Sequence, residues 1–151
     1  MKKLALIAAL AAAPAAAFAQ TTLDAWQADP TRVFAPEEVT LDDLHWQLRA
    51  LVVFGRGPND PLFVEQMDLI AARAPELAER DVIVVADTDE STLSDLRRRL
   101  RPRSFMLALI GKDGSVAFRK PAPWDVREIS RSIDKMPLRQ QEINNRRGLG
   151  G

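Results

Sequence analysis

Arg56 and Asp60 fall within Gly55-Arg56-Gly57-Pro58-Asn59-Asp60-Pro61, a loop-forming run that ends in the signature of a helix start. An aspartate suits the N-cap, and a proline suits the first helical position, where its missing N–H costs nothing. Free amides and the helix dipole at such a point favour an anion, and Arg56 supplies a charge partner. Arg56, Gly57, Asn59 and Asp60 are therefore a candidate ligand site. Asp60 competes with that use, because a capping carboxylate fills the same amides and repels an incoming anion. In a catalytic version of the site, Arg56 would stabilise negative charge and Asp60 would act as a base.

Arg97-Arg98-Arg99, followed by Arg101 and Arg103, is the densest basic stretch. Guanidinium groups so placed suit phosphate, an acidic protein or lipid head groups, and they are the candidate partner-binding residues. Wrapped around a helix that gives Leu96 and Leu100 to a core, they also read as a solvated face, neutralised by Asp87, Asp89, Glu90 and Asp95. Asp87-Thr88-Asp89-Glu90 resembles the opening of a calcium loop, but it lacks the glycine and distal glutamate of that motif. Capping and turn formation explain it better. His45 is the only histidine and cysteine is absent. A zinc site would need that imidazole plus carboxylates, and a Ser-His-Asp triad would depend wholly on it. Without cysteine, thiol and disulfide chemistry is excluded. No catalytic residue, metal site or cofactor is expected.

The elements that hold these residues follow a leader. Met1-Lys2-Lys3 is a basic start, residues 4–13 are apolar, and Ala17-Phe18-Ala19 places small residues at both positions of a cleavage site. Together these predict a secretory signal peptide over 1–19, cleaved after Ala19 and leaving a periplasmic or secreted chain. The apolar stretch is shorter than the roughly 20 residues that span a bilayer, so no stable membrane anchor is expected after cleavage. The whole chain carries 21 basic and 21 acidic residues. Loss of Lys2 and Lys3 leaves a slight acidic excess, which gives no general attraction to nucleic acid.

Residues 20–39 read as an irregular leader, with Asp29-Pro30 and Ala35-Pro36 as breakers. Thr40-Leu41-Asp42-Asp43 fits a capping box opening a short helix anchored in the core by Trp46. Leu51-Val52-Val53-Phe54 predicts a strand buried on both faces. Phe63, Met67, Ile70 and Ala74 recur at helical spacing up to Pro75, and Val82 to Ala86 is the clearest strand. Ser91 is placed to cap the arginine helix. Phe105 to Ile110 and Val116 to Phe118 form a hairpin around Lys112-Asp113-Gly114-Ser115. A closing helix presents Val126, Ile129, Ile133 and Met136, and the polar residues 143–151 are expected to be disordered. The order β-α-β-α-β-β-α predicts an α/β fold, a thioredoxin-like three-layer sandwich with a mixed central sheet.

Four segments carry a further resemblance: Leu44-His45-Trp46-Gln47 before Leu51-Val52-Val53-Phe54; Glu79-Arg80-Asp81-Val82-Ile83-Val84; Leu109-Ile110-Gly111-Lys112-Asp113-Gly114; and Ile133-Asp134-Lys135-Met136-Pro137-Leu138-Arg139. Over residues 40–142 the chain resembles the DUF4174 family, thioredoxin-like domains of unassigned function in secreted bacterial proteins. The resemblance implies the fold and export, and no reaction. Two departures from active thioredoxins stand out. The strand-to-helix loop at 55–61 has no sulfur, and Arg103 stands where a cis-proline would precede the Phe105 strand, so a trans bond is expected there.

These readings predict an exported, redox-inactive domain acting as a noncovalent binding or accessory module for another envelope protein. The alternative is an enzyme of unknown type that holds an anionic small substrate at residues 55–61.

Overall fold

A computed structural model describes residues 20–150. The expected signal peptide lies outside the described residues, as does Gly151. The chain runs through α1 (Thr22–Ala28), β1 (Val33–Phe34), a 3-10 turn (Pro36–Glu38), α2 (Leu41–Leu44), β2 (Arg49–Phe54), α3 (Pro61–Ala72) and α4 (Ala74–Ala78). It continues through β3 (Val82–Asp87), α5 (Asp95–Leu100), β4 (Met106–Ile110), β5 (Val116–Lys120), α6 (Val126–Asp134) and α7 (Pro137–Leu149). The strands form one sheet in the order β1-β3-β2-β4-β5. Pairing is parallel across β1, β3 and β2 and antiparallel across β2, β4 and β5, so the sheet is mixed.

Side-chain alternation along β2 assigns the two layers. Ala50, Val52 and Phe54 face a cluster shared with Trp26, Leu44, Leu48, Leu96 and Leu100, from α1, α2, α5 and their flanks. Leu51 and Val53 face the opposite cluster with Ile70, Leu77, Val126, Ile129 and Ile133, from α3, α4 and α6. All six residues of β2 are buried, as a central strand covered on both faces requires. Each large aliphatic side chain so enclosed contributes about 1.5–3 kcal/mol by leaving water.

Several local expectations are corrected. Residues 20–39 are not an irregular leader. Thr21 and Asp24 close a reciprocal capping box on α1, and the Trp26 indole N–H donates to the Val82 carbonyl at 3.2 Å. Val33 and Phe34 then add a strand to the free edge of β3. Thr40 occupies the N-cap of α2, but its side chain makes no capping hydrogen bond; its amide instead donates to Thr22 Oγ at 3.0 Å. Ser91 does not cap α5, because Asp89 engages both its amide and its hydroxyl. Ser94 caps that helix instead, accepting from the Arg97 amide. The tail expected to be disordered continues α7 to Leu149, which is fastened through Arg139 and Glu142 to the base of the sheet.

Pro61 opens α3 behind Asp60 as expected, the helix breaks before Pro75, and Gly114 takes a positive φ in the β4–β5 turn. No cis peptide bond occurs among the described residues, so the bond before Arg103 is trans. No helix among them is long and apolar enough to cross a membrane.

Candidate functional site

Gly55 follows directly from β2 and fixes how its loop leaves the sheet. A Cβ there would stand 2.9 Å from the Phe63 Cβ, so only glycine lets the loop lie against α3. The Arg56 amide donates to one Asp60 carboxylate oxygen at 3.1 Å, and the Leu62 amide donates to the other at 3.1 Å. Asp60 thus closes the loop and caps the helix at once. The Arg56 amide is the main cause holding its carboxyl below the usual aspartate range. With both oxygens engaged and basicity lowered, Asp60 is a structural acceptor and a poor proton acceptor.

The structure does bring Arg56, Gly57, Asn59 and Asp60 together. With Leu62, Ser104 and Phe105 they border an open groove of about 490 Å³. The Arg56 side chain is exposed and makes no ion pair among the described residues.

The arginine run does not form one face. Arg97 turns inward: its Nε–H donates to Asp87 at 2.9 Å, and a terminal nitrogen donates to the carbonyls of Gly55 and Asp87 at 3.2 and 3.1 Å. Its guanidinium carbon lies 5.3 Å from the Phe54 ring centre. Arg97 is therefore a strut beneath the 55–61 loop, and the expectation that it meets a partner is corrected. Burying a guanidinium is tolerable here because a carboxylate and two carbonyls receive it. Arg99 reaches the carbonyl of Gly114, in the β4–β5 turn at the other end of the sheet. Arg98 is exposed and pairs with Asp95 at 3.2 Å.

Arg101 and Arg103 are exposed and, like Arg56, make no ion pair among the described residues. Arg101 ends α5 at φ 51. Glu90, Leu93, Arg98, Arg101 and Arg103 border a second concavity, of about 580 Å³ and with the arginines outnumbering its one carboxylate, and the chain passes from it through Ser104 into the Arg56 groove.

Asp89, one of the calcium-loop candidates, accepts from the amides and hydroxyls of Ser91 and Thr92. The Ser91 and Thr92 hydroxyls lead in holding it down at about 2. His45 is exposed beside Trp46, with ring centres 4.8 Å apart. Trp46 is not a core anchor: it is 59% exposed, and Trp26 is the tryptophan that enters the core.

A second polar cluster lies at the opposite end of the sheet, and the sequence analysis missed it. Arg49 donates to Glu142 at 3.1 Å, and Lys112 reaches Glu142 and Asp81, each at 2.8 Å. Arg139 touches Glu142 at 3.3 Å and Asp134 at 3.4 Å, while Arg80 pairs with Asp134 at 2.8 Å. Burial pushes the Glu142 carboxyl up, but hydrogen bonds from Lys112 and Arg49 pull it below the usual glutamate range. Arg80 and Arg139 do the same for Asp134, with the Arg80 hydrogen bond the leading cause. Arg49 and Glu142 are 93 positions apart, so no local pattern could have joined them.

The family model for the domain of unknown function DUF4174 matches residues 40–142, and the chain belongs to that family.

Proposed function

We propose that this DUF4174 chain is an exported, redox-inactive thioredoxin-like domain. It works by noncovalent docking of an acidic segment of another envelope protein onto the edge that carries Arg56, Arg101 and Arg103. The observation behind this reading is the division of labour among the arginines. Arg97 is tied to Asp87 and Gly55, whereas Arg56, Arg101 and Arg103 stand exposed without an ion pair, beside two adjoining concavities. Guanidinium forks in that state suit carboxylates. Exposed Leu62 and Leu93 give the same edge an apolar component.

Three sequence features support export: the basic start at Lys2-Lys3, the apolar stretch after it, and Ala17-Phe18-Ala19. Support for the thioredoxin-like assignment comes from the succession β2-α3-β3-α5-β4-β5-α6 and the order β3-β2-β4-β5 within the mixed sheet. Thiol exchange is out of reach because cysteine is absent.

The test is affinity capture from envelope extract of the host with residues 20–151. An Arg56→Ala/Arg101→Gly/Arg103→Ala chain and an Arg127→Ala/Arg131→Ala control run beside it. A stoichiometric partner held by the wild type and the control, and released by the triple variant, is the expected result. A partner held equally by all three chains would move the docking surface elsewhere. Capture of no partner would reject the binding-module reading.

A further inference from the structure

We propose that Gln20, the first residue left when the leader is cut after Ala19, closes into pyroglutamate, so that the mature chain carries a neutral, blocked amino terminus. The inference rests on the export reading, which supplies the cut, and is independent of docking at the arginine edge.

The sequence sets the reacting groups. Ala17-Phe18-Ala19 places the scissile bond directly before Gln20, so cleavage turns the Gln20 backbone nitrogen into a free α-amine. That amine reaches its own side-chain Cδ through an unstrained five-membered ring; asparagine in its place would need a strained four-membered one. The amine attacks Cδ, the new N–Cδ bond forms and the Cδ–Nε2 bond breaks. A proton passes from the amine to the departing nitrogen, which leaves as ammonia. Nothing is oxidised or reduced, and no co-reactant is needed. Free α-amines have pKa values of about 7.7–8.0, so roughly a tenth is present as the nucleophile at neutral pH. Both groups belong to one residue, so closure bears no cost of bringing two molecules together.

The structure holds the next residue and leaves Gln20 free. The Thr21 amide and hydroxyl donate to one Asp24 carboxylate oxygen at 3.3 and 2.7 Å, and the Asp24 amide donates back to Thr21 Oγ at 3.1 Å. Thr22 is 3% exposed and accepts the Thr40 amide at 3.0 Å, while Trp26 joins the core. The chain is therefore fixed from Thr21 onward. Gln20 is exposed, and its side-chain amide makes no hydrogen bond among the described residues. A capping box begun one residue earlier would tie the Gln20 nitrogen to a carboxylate. Because the box begins at Thr21, the amine and side-chain amide of Gln20 are free to rotate into each other.

Closure has two consequences. A cation is disfavoured ahead of a helix amino terminus, and the ring removes the terminal charge that cleavage creates before α1. It also denies aminopeptidases a free amine at a chain end, where proteolysis concentrates.

The experiment isolates the native chain from its host's envelope, dimethylates its free amines, digests it with trypsin and reads the 20–32 peptide by tandem mass spectrometry. Labelling before digestion separates ring closure in the cell from ammonia loss in the spectrometer. The expected peptide is unlabelled and lighter than the open form by one ammonia, outnumbering the labelled open form at least tenfold. Gln20→Ser, which has no amide to close, should give a labelled 20–32 peptide and lose its first residue to an aminopeptidase at least tenfold faster than the wild type. A labelled peptide with intact Gln20 would overturn the ring and leave export standing. A chain that retains residues 1–19 would overturn export, and the ring with it. A Gln20→Ser terminus blocked as fully as the wild type would also overturn the ring, since the block would then not be made by glutamine.

Discussion

Replacing Arg97 with alanine distinguishes a strut from a surface charge. Arg97 and Asp87 retain only 6% and 2% side-chain exposure, so truncation leaves a buried carboxylate held by the Ser94 hydroxyl and the Asp89 amide alone. The Gly55 carbonyl loses its Arg97 donor in the same step. Removing one member of a buried pair costs about 3–5 kcal/mol. Arg98 provides the comparison, since its pair with Asp95 is 65% and 89% exposed and such pairs contribute roughly 0–1 kcal/mol. For a domain of this size, 1 kcal/mol moves Tm by about 3–5 °C. Arg97→Ala should therefore melt about 10–20 °C below the wild type, and Arg98→Ala within about 5 °C of it. Urea unfolding followed by circular dichroism and tryptophan emission gives the free energies. Asp87→Asn/Arg97→Met should recover about half the loss, because no charge remains buried while the Gly55 carbonyl stays undersatisfied. Equal losses from Arg97→Ala and Arg98→Ala would refute the strut assignment.

Gly55→Ala forces a Cβ to within 2.9 Å of the Phe63 Cβ, and urea unfolding should register an overpacking cost of about 1–3 kcal/mol. Arg101→Gly relieves a residue at φ 51 by about 1–2 kcal/mol, against roughly 0.5–1 kcal/mol of added backbone entropy; its urea midpoint should match or exceed the wild type. Glu142 and Asp134 have folded pKa values below their unfolded ones, so the unfolded chain binds more protons and their stabilisation is full above about pH 5. It is lost as pH falls through 4 and below. Glu142→Gln should start lower at pH 7 and decline less steeply on acidification, and urea midpoints between pH 7 and 3 would show this.

The parts legible in the sequence were those set by neighbours along the chain. Asp60-Pro61 announces a cap and first turn, Lys112-Asp113-Gly114-Ser115 announces the hairpin, β-branched runs announce β2 and β3, and the apolar run before that hairpin announces β4. The loop at 55–61 and the helix start behind it are legible for the same reason. Elements that depend on distant partners were not legible. Val33-Phe34 is too short for a periodic signal and becomes a strand only because β3 offers a free edge. Residues after Glu142 look too polar to fold, yet α7 is fastened by a glutamate that meets Arg49 and Lys112. Arg97 looks like its exposed neighbour Arg98, and only Asp87 and the Gly55 carbonyl turn it inward. Trp46 has the side chain of a core residue, yet it stands at φ 64 and stays 59% exposed.

The most direct measurement of the docking account is site-specific photocrosslinking in the host envelope. A photoreactive side chain is placed in turn at position 62, beside the Arg56 groove, at 93, beside Arg98 and Arg101, and at 131, exposed on α6. The account predicts one discrete protein adduct from positions 62 and 93, abolished by Arg56→Ala/Arg101→Gly/Arg103→Ala, with none from 131. Adducts from 131 alone, or adducts at 62 and 93 that survive the triple variant, would contradict it.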